Sequence, residues 1–344
     1  EEGIVDYVNI APDGKPAENG VCAGLHAQRI GYDLCPANAW VQDTVVSEVE
    51  KILPSGVDYL QYFDQNLGGS SYRCYSHTHG HPPAPGVWQN EAMCRIFRRI
   101  NDVVARSGRK LLIGCEAAAA EPFLPHLLFN DLRFNINLRF AIPVPAYAYL
   151  NHEYVNNFMG NQNSVRDCVD FERSPLNLHQ RLAYSFTAGD MLTIVLRGGG
   201  KIGWEWGTTW DVPGPDHESL ATLIRNLNAW RTDAAQPFLV YGRMLKPLEL
   251  LGTTIIPMIS PRGEKLPFPS LFTSRWQYGD RIAQVVVNYT PEPQNGTLAG
   301  VTGRTVRLYR QPQASAESLA VSANGQVTLQ IAPLSAVLVE FEAE

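Results

Sequence analysis

The first 250 residues alternate between helical and strand-like hydrophobic patterns. Residues 40–53 and 91–106 each repeat apolar side chains at helical spacing, and a Pro or Gly turn ends each of them. A short apolar strand then follows each helix, over 57–64 and 110–116. Near-continuous apolar strands are typical of parallel sheets that are buried on both faces. The order helix, strand, helix, strand therefore predicts an α/β architecture.

Further elements continue this pattern, although residues 1–40 show little periodicity and are predicted to be a long loop. The sequence predicts a strand within 132–142, a helix over 176–188, a strand over 191–196 and a helix over 217–234. These make four or five βα units, where a complete (β/α)8 barrel has eight. We interpret residues 1–250 as the C-terminal part of a TIM-type barrel. The missing strands are expected on sequence outside this chain, such as a second polypeptide, unless some strands here are too irregular to recognise.

The pattern changes at about Leu251, where short alternating strands separated by turn residues begin. This arrangement predicts an all-β sandwich over 251–344. The predicted strands are Thr253–Met258, Leu271–Gln277, Ile282–Tyr289, Thr305–Tyr309, Val327–Ile331 and Ala336–Phe341.

Two carboxylates stand where the strands 57–64 and 110–116 end. They belong to Asp64 and Glu116. Ligands of parallel barrels bind beyond the carboxyl ends of the strands, and neighbouring strands lie about 4.8 Å apart. Acids at two such ends can reach the separation of about 5–5.5 Å that a retaining glycosidase requires. The apolar surroundings of Glu116, with Ile113 before it and four alanines after it, are expected to raise its pKa, as a general acid requires.

The same regions resemble bacterial predicted glycoside hydrolases, which are related to the broad group of barrels that includes α-amylases and endo-α-N-acetylgalactosaminidases. The motifs that carry the resemblance are Cys35-Pro36, Trp40, Gly56 to Gln65, His79-Gly80-His81-Pro82, Gly114-Cys115-Glu116-Ala117, Glu121-Pro122, Pro145-Ala146-Tyr147 and His152-Glu153-Tyr154. The resemblance covers roughly residues 35–250. It implies that Asp64 is a nucleophile ending the fourth barrel strand and Glu116 an acid/base ending the fifth, so that strands one to three precede Glu1.

Other polar and aromatic residues are candidates for binding the sugar. Glu121 competes with Glu116, and Glu153 is an alternative acid/base; both are otherwise interpreted as structural or substrate-binding acids. Aromatic rings stack on sugar faces, although many such rings are simply core residues. The predicted substrate-binding residues are Tyr62, Gln65, His79, His81, Trp88, Glu121, Tyr147, His152, Glu153 and Trp204.

Metal and cofactor sites receive little support from the sequence. His77, His79 and His81 alternate in one loop, but no acidic or Cys partner lies nearby at a usual ligand spacing. The six cysteines include no Cys-x-x-Cys pair, which argues against a structural zinc site, although Cys22, Cys35 and Cys74 lie in loops where disulfides could form. Arg197 to Lys201 lacks the Gly-x-x-x-x-Gly-Lys-Ser/Thr pattern of nucleotide-binding loops. We expect no metal and no cofactor.

Composition excludes several classes of partner. A net charge of -6 and the absence of a basic stripe argue against nucleic acid, and no apolar run is long enough to predict a membrane span. The predicted function is a retaining glycoside hydrolase, secreted or periplasmic, that acts on an oligosaccharide, polysaccharide or glycoconjugate. Two alternatives stay open: a non-catalytic carbohydrate-binding protein on a barrel scaffold, and a metal-dependent hydrolase that uses His77, His79 and His81.

Overall fold

The chain packs into two compact units, Glu1–Asn130 and Asp131–Glu344. This computed structural model describes residues 3–22, 28–63, 73–116, 119–132, 144–159, 173–196, 199, 202–203, 216–260, 262–312 and 315–341. The division between the units differs from the predicted domain boundary at residue 250, and that boundary stays a prediction.

The first unit combines a hairpin, a parallel strand pair and two long helices. Its strands are β1 (Glu18–Cys22), β2 (Gln28–Tyr32), β3 (Tyr59–Phe63), β4 (Leu112–Glu116) and β5 (Phe129–Leu132), the last of which crosses into the second unit. Its helices are α1 (Ala39–Ile52) and α2 (Val87–Ser107), with 3-10 turns at Ile4–Asp6, Leu53–Ser55 and Glu121–His126.

The two long helices confirm the amphipathic pattern of the sequence. Asn38 caps α1 because its side-chain oxygen accepts a hydrogen bond from the Val41 amide at 3.2 Å. Helix α2 buries one face, and the Phe97 ring on that face lies 4.8 Å from the ring of Phe63 in β3. The helices therefore cover the strand that precedes Asp64.

Strands β3 and β4 run parallel, as the sequence predicts, and β5 follows β4 in the same sheet. Tyr59 pairs with Leu112, and a register shift near Gln61 brings Phe63 opposite Cys115. The two strands therefore end side by side at one edge of the sheet.

The second unit contains helices of different lengths together with many strands, most of which are antiparallel. The helices are α3 (Ala146–Asn151), α4 (Asn177–Thr187), α5 (His217–Thr232) and α6 (Gln236–Leu239). The early strands are β6 (Asn156–Met159), β7 (Val195–Leu196), β8 (Ile202–Gly203), β9 (Arg243–Leu245), β10 (Glu249–Leu251), β11 (Ile255–Ile259) and β12 (Lys265–Pro269). The later strands are β13 (Leu271–Tyr278), β14 (Arg281–Asn288), β15 (Gln294–Ala299), β16 (Thr305–Tyr309), β17 (Glu317–Ala320), β18 (Gln326–Ile331) and β19 (Ser335–Phe341).

Two antiparallel sheets form the C-terminal sandwich. Six strands pair in the order β17-β16-β19-β14-β13-β9, and three pair in the order β10-β15-β18. Side chains of both sheets share one core, in which Val286 and Val339 of the larger sheet pack with Leu298 and Leu329 of the smaller one. The alternating pattern after residue 251 therefore produces the two-layer packing that it predicts.

The larger sheet is buried on its other face as well. There Val285 and Trp276 share a core with Phe186 of α4 and with Leu223 and Trp230 of α5. Six consecutive residues of β14 are buried for this reason, since both faces of the strand are covered. Helices that the sequence assigns to the barrel thus pack directly on the sandwich sheet.

Two sequence-based expectations need correction, and one stays a prediction. The predicted loop over residues 1–40 contains the antiparallel hairpin β1–β2, whose Gly-rich strands have no clear apolar alternation. The sequence also misses the short strands β9, β10, β12, β15 and β17. The sheets seen within the described ranges do not close on themselves, so the TIM-type barrel is not shown.

Candidate active site

The ends of β3 and β4 form the part of the predicted site that the structure describes. Glu116 is the last residue of β4, and its side chain is half-buried. Its neighbour Cys115 lies opposite Phe63, the last residue of β3. Asp64, Gln65 and Trp204 lie outside the described residues, so their predicted roles stay predictions.

Close packing fixes these two strands. A Cβ atom on Gly114 would lie 2.5 Å from the hydroxyl of Tyr59 in β3 and 2.7 Å from the carbonyl oxygen of Phe129 in β5. Glycine therefore allows both neighbouring strands to approach β4 two residues before Glu116. The structure holds Glu116 on a rigid element.

Tyr62, a predicted sugar ligand, has a protein partner. Its hydroxyl donates a 2.9 Å hydrogen bond to the carbonyl of Val45 in α1. Burial and the nearby Glu48 carboxylate raise the pKa of Tyr62, so this hydroxyl stays protonated. The bond ties β3 to α1, and a contact of Tyr62 with sugar stays a prediction.

The remaining predicted acids and aromatics differ in exposure. Glu121 is exposed at the start of a 3-10 turn in the first unit. In the second unit, Tyr147 is half-buried in α3 and Glu153 is exposed just after it. The exposure of Glu121 and Glu153 leaves both carboxylates accessible to solvent.

His152 is buried in the second unit. Its ring lies 4.6 Å from the ring of Trp276 in an edge-to-face arrangement. Burial, together with the charge of Arg231, lowers the pKa of His152 to about 4. The imidazole is therefore neutral at physiological pH, and it packs against the sandwich sheet.

Buried charges in the second unit were not predicted from the sequence. Asp190 is 3% exposed, and its burial raises its pKa to about 7 although Arg231 and Arg181 act in the opposite direction. Arg231 also donates a hydrogen bond to the carbonyl of Gly189 at 2.5 Å. Burial likewise raises the pKa of Asp131 to about 6. The sequence carries no clear signal for the burial of Asp131, because Asn130 precedes it and the strand Phe129–Leu132 has no apolar run.

The histidine loop has partners that the sequence did not indicate. His79 and Trp88 are buried, and the ring of His81 stacks on Trp88 with centroids 3.6 Å apart. Side-chain ligand atoms of His79, His81, Cys35 and Cys74 all lie within 4.8 Å of one another. The expectation that no Cys partner lies near these histidines is therefore wrong. Cys74 comes from the same loop, whereas Cys35 comes from a distant part of the chain. His77 is exposed and lies outside this group.

The second unit also contains an open cavity of about 900 Å³ with a largely apolar lining. Among its lining residues are Tyr184, Phe272 and Arg275. The predicted site residues that the structure describes are absent from its lining. Within the described ranges, no helix combines the length and the apolar character needed to cross a bilayer.

Comparison with known proteins gives a partial family match. A family described as "Domain of unknown function (DUF6259)" matches residues 15–160, which is less than half of the chain. No curated protein matches the sequence.

Solved structures of α-amylases are similar over nearly the whole chain. The α-amylase GTA from Geobacillus thermoleovorans, complexed with acarbose, is 13% identical with a TM-score of 0.53, covering 99% of this chain and 73% of that one. The noncanonic maltogenic α-amylase AmyB from Thermotoga neapolitana is 12% identical with a TM-score of 0.52, covering 100% and 74%. The α-amylase from H. orenii is 14% identical with a TM-score of 0.52, covering 98% and 74%. The chain therefore has a glycoside hydrolase-like fold.

Proposed function

We propose that this protein is a retaining glycoside hydrolase in which Asp64 is the nucleophile and Glu116 the acid/base. The observation that carries the proposal is the parallel pairing of β3 and β4, with Phe63 opposite Cys115. In the sequence, Asp64 follows Phe63 and Glu116 follows Cys115. Acids that follow paired positions of neighbouring strands begin about 4.8 Å apart, which suits the separation of about 5–5.5 Å in retaining enzymes.

The reaction proceeds in two displacements. The Asp64 carboxylate attacks the anomeric carbon and forms a glycosyl ester while the bond to the leaving oxygen breaks and Glu116 donates its proton to that oxygen. Glu116, now a carboxylate, then removes a proton from water, and the resulting hydroxide attacks the same carbon and releases Asp64. No cofactor takes part in either step.

The substrate class is a sugar chain or glycoconjugate. The glycoside hydrolase-like fold supports this choice, and one of the similar α-amylases is a complex with acarbose. Glu116 is half-buried, so part of this residue is accessible to a substrate.

The two alternative functions, sugar binding without catalysis and metal-dependent hydrolysis, depend on other features of the protein. A non-catalytic sugar-binding protein would bind glycans without needing either acid. A metal-dependent hydrolase would need His77 near His79 and His81, whereas His77 is exposed and outside their cluster. The catalytic proposal is therefore preferred over the metal-dependent one.

Substitution of each acid tests the proposal on a panel of aryl glycosides. Asp64→Asn should abolish turnover, because an amide is a poor nucleophile. Glu116→Ala should slow turnover by about 10²–10⁴-fold with poor leaving groups, and less with activated ones that need no proton. Azide should restore turnover by Glu116→Ala, because azide attacks the glycosyl ester without a general base.

Asp58→Asn is the matched control, since Asp58 is exposed just before the other end of β3. It should retain the wild-type rate. Full activity of Asp64→Asn on a substrate that the wild-type protein hydrolyses would exclude Asp64 as the nucleophile. Product NMR that shows inversion at the anomeric carbon would exclude the double displacement.

A further inference from the structure

Four potential metal ligands from two separate parts of the chain converge in the first unit. Cys35 precedes α1, and Cys74, His79 and His81 lie in the segment between β3 and α2. Their sulfur and imidazole nitrogen atoms lie within 4.8 Å of one another. Both cysteines are free thiols with no solvent exposure, and His79 is also buried.

Two sulfur–nitrogen distances in this group match those of a tetrahedral zinc site. Cys35 Sγ lies 3.4 Å from His81 Nε2, and Cys74 Sγ lies 3.4 Å from His79 Nδ1. Zinc bonds of about 2.3 Å to sulfur and about 2.0–2.1 Å to nitrogen give a tetrahedron whose sulfur–nitrogen edges are about 3.5 Å. The observed sulfur–nitrogen distances are therefore close to those of a zinc coordination shell.

Hydrogen bonds at the far side of each ring orient the histidines. His79 Nε2 lies 3.1 Å from the carbonyl oxygen of Val5, and His81 Nδ1 lies 2.8 Å from that of Pro82. A carbonyl only accepts, so these nitrogens carry the protons and donate them. The opposite nitrogens, Nδ1 of His79 and Nε2 of His81, then present lone pairs toward the sulfurs. Zinc-binding histidines are oriented in this way by their outer hydrogen bonds.

The sulfurs also receive backbone donors. The amide of Ile10 donates a 3.4 Å hydrogen bond to Cys74 Sγ. The amides of Ala37 and Asn38 hydrogen-bond to the Cys35 thiol. Burial raises the pKa of the Cys35 thiol, and these amides act in the opposite direction. Backbone donors that point at the sulfurs are outer hydrogen bonds of the kind found around metal ligands.

We propose that Cys35, Cys74, His79 and His81 bind one Zn²⁺ ion as a structural site. Four protein ligands complete a tetrahedral shell and leave no position open for a substrate, which distinguishes this site from a catalytic zinc centre. Its role is to fix the segment from residue 73 to Gly86, which has no helix or strand of its own, against the N-terminal residues and the start of α1. This inference does not rest on the proposed glycosidase activity.

Metal analysis of the full-length chain tests the proposal directly. Protein purified under reducing conditions after growth with zinc should contain about one Zn²⁺ per chain. X-ray absorption at the zinc edge should show two sulfur ligands at about 2.3 Å and two nitrogen ligands at about 2.0–2.1 Å. Co²⁺ bound to the metal-free chain should give the intense visible bands of a tetrahedral thiolate complex.

Variants identify the ligands. Cys74→Ser and His81→Ala should lose nearly all of the bound zinc. Two variants are matched controls: His77→Ala changes a histidine of the same loop, and Cys94→Ser changes a free thiol outside the cluster. Both variants should retain the bound zinc. The absorption measurement on the wild-type chain does not depend on whether a ligand variant folds.

Several results would overturn the proposal. One is that the reduced wild-type chain neither contains zinc nor binds added Zn²⁺. Another is that the bound zinc has no sulfur ligands. A third is that His77→Ala loses zinc as fully as His81→Ala. A disulfide between Cys35 and Cys74, found by mass spectrometry of the unreduced native chain, would also overturn it.

Discussion

Single residues set how tightly the strands around Glu116 pack. Gly114 leaves no room for a side chain, since a Cβ atom there would overlap the Tyr59 hydroxyl and the Phe129 carbonyl oxygen, at 2.5 and 2.7 Å. The hydroxyl could move, but the carbonyl belongs to the backbone of β5. A larger residue therefore must push strands apart, which costs more than a side-chain rearrangement.

Gly114→Ala is accordingly expected to lower the free energy of unfolding by about 1–3 kcal/mol. Urea denaturation followed by circular dichroism measures the change. Gly3→Ala is the control, because nothing lies within 4 Å of a Cβ atom there, and its effect should stay within about 0.5 kcal/mol. Equal stability of Gly114→Ala and the wild-type chain would mean that β4 and its neighbours are not packed as described.

At the scale of elements, a polar contact inside an apolar interface joins two helices of the second unit. His179 of α4 is 1% exposed, and its Nε2 hydrogen-bonds to the hydroxyl of Ser219 in α5. Burial lowers the pKa of His179 to about 4, although the Asp216 carboxylate that caps α5 acts in the opposite direction. The folded state therefore holds this imidazole neutral.

This depressed pKa predicts a pH-dependent contribution to stability. The unfolded chain binds a proton at His179 below about pH 6.5, whereas the folded chain binds one only near pH 4. The neutral imidazole therefore makes its full contribution to the free energy of unfolding above about pH 6.5. This contribution decreases by up to about 3 kcal/mol as the pH falls toward 4.

Urea unfolding of the wild-type chain and His179→Gln at pH 7.5 and pH 4.5 isolates this contribution. The stability advantage of the wild-type chain over His179→Gln should shrink at pH 4.5. His217→Asn, which changes an exposed histidine of α5, should show no such shift. A wild-type advantage that is the same at both pH values would contradict the buried neutral state.

At the scale of the whole molecule, the apolar clusters differ in size. The second unit has two large apolar cores, one between the sandwich sheets and one between the larger sheet and the helices. The buried cluster around the N-terminal segment is small, comprising Val8, Ile10, Cys35, Cys74 and Trp88. A metal ion contributes folding energy where apolar burial is limited.

Zinc removal should therefore loosen the first unit selectively. After treatment with a strong zinc chelator under reducing conditions, amide hydrogen exchange should accelerate in residues 5–10, 33–38 and 73–88. Exchange in β13, β14 and β19 should stay unchanged, because their protection comes from the sandwich core. Equal acceleration in both regions, or none in either, would contradict a structural role confined to the first unit.

The sequence by itself determined the local elements of this protein. The periodic apolar spacing predicted α1 and α2, the apolar runs predicted β3 and β4, and the alternation after Leu251 predicted most of the sandwich strands. It also located Glu116 at a strand end, because the apolar run and the acid are adjacent in the chain. These features depend on neighbouring residues, so one sequence suffices to recognise them.

Only the tertiary structure decided which distant residues meet. It brought Cys35 to His81, 46 positions later in the chain, and so to the loop that also carries Cys74 and His79. It also buried Asp190 beside Arg231, and it packed α4 and α5 on the sandwich sheet. Such contacts join segments that are far apart in the chain, and no pattern within a single stretch of chain specifies the partner.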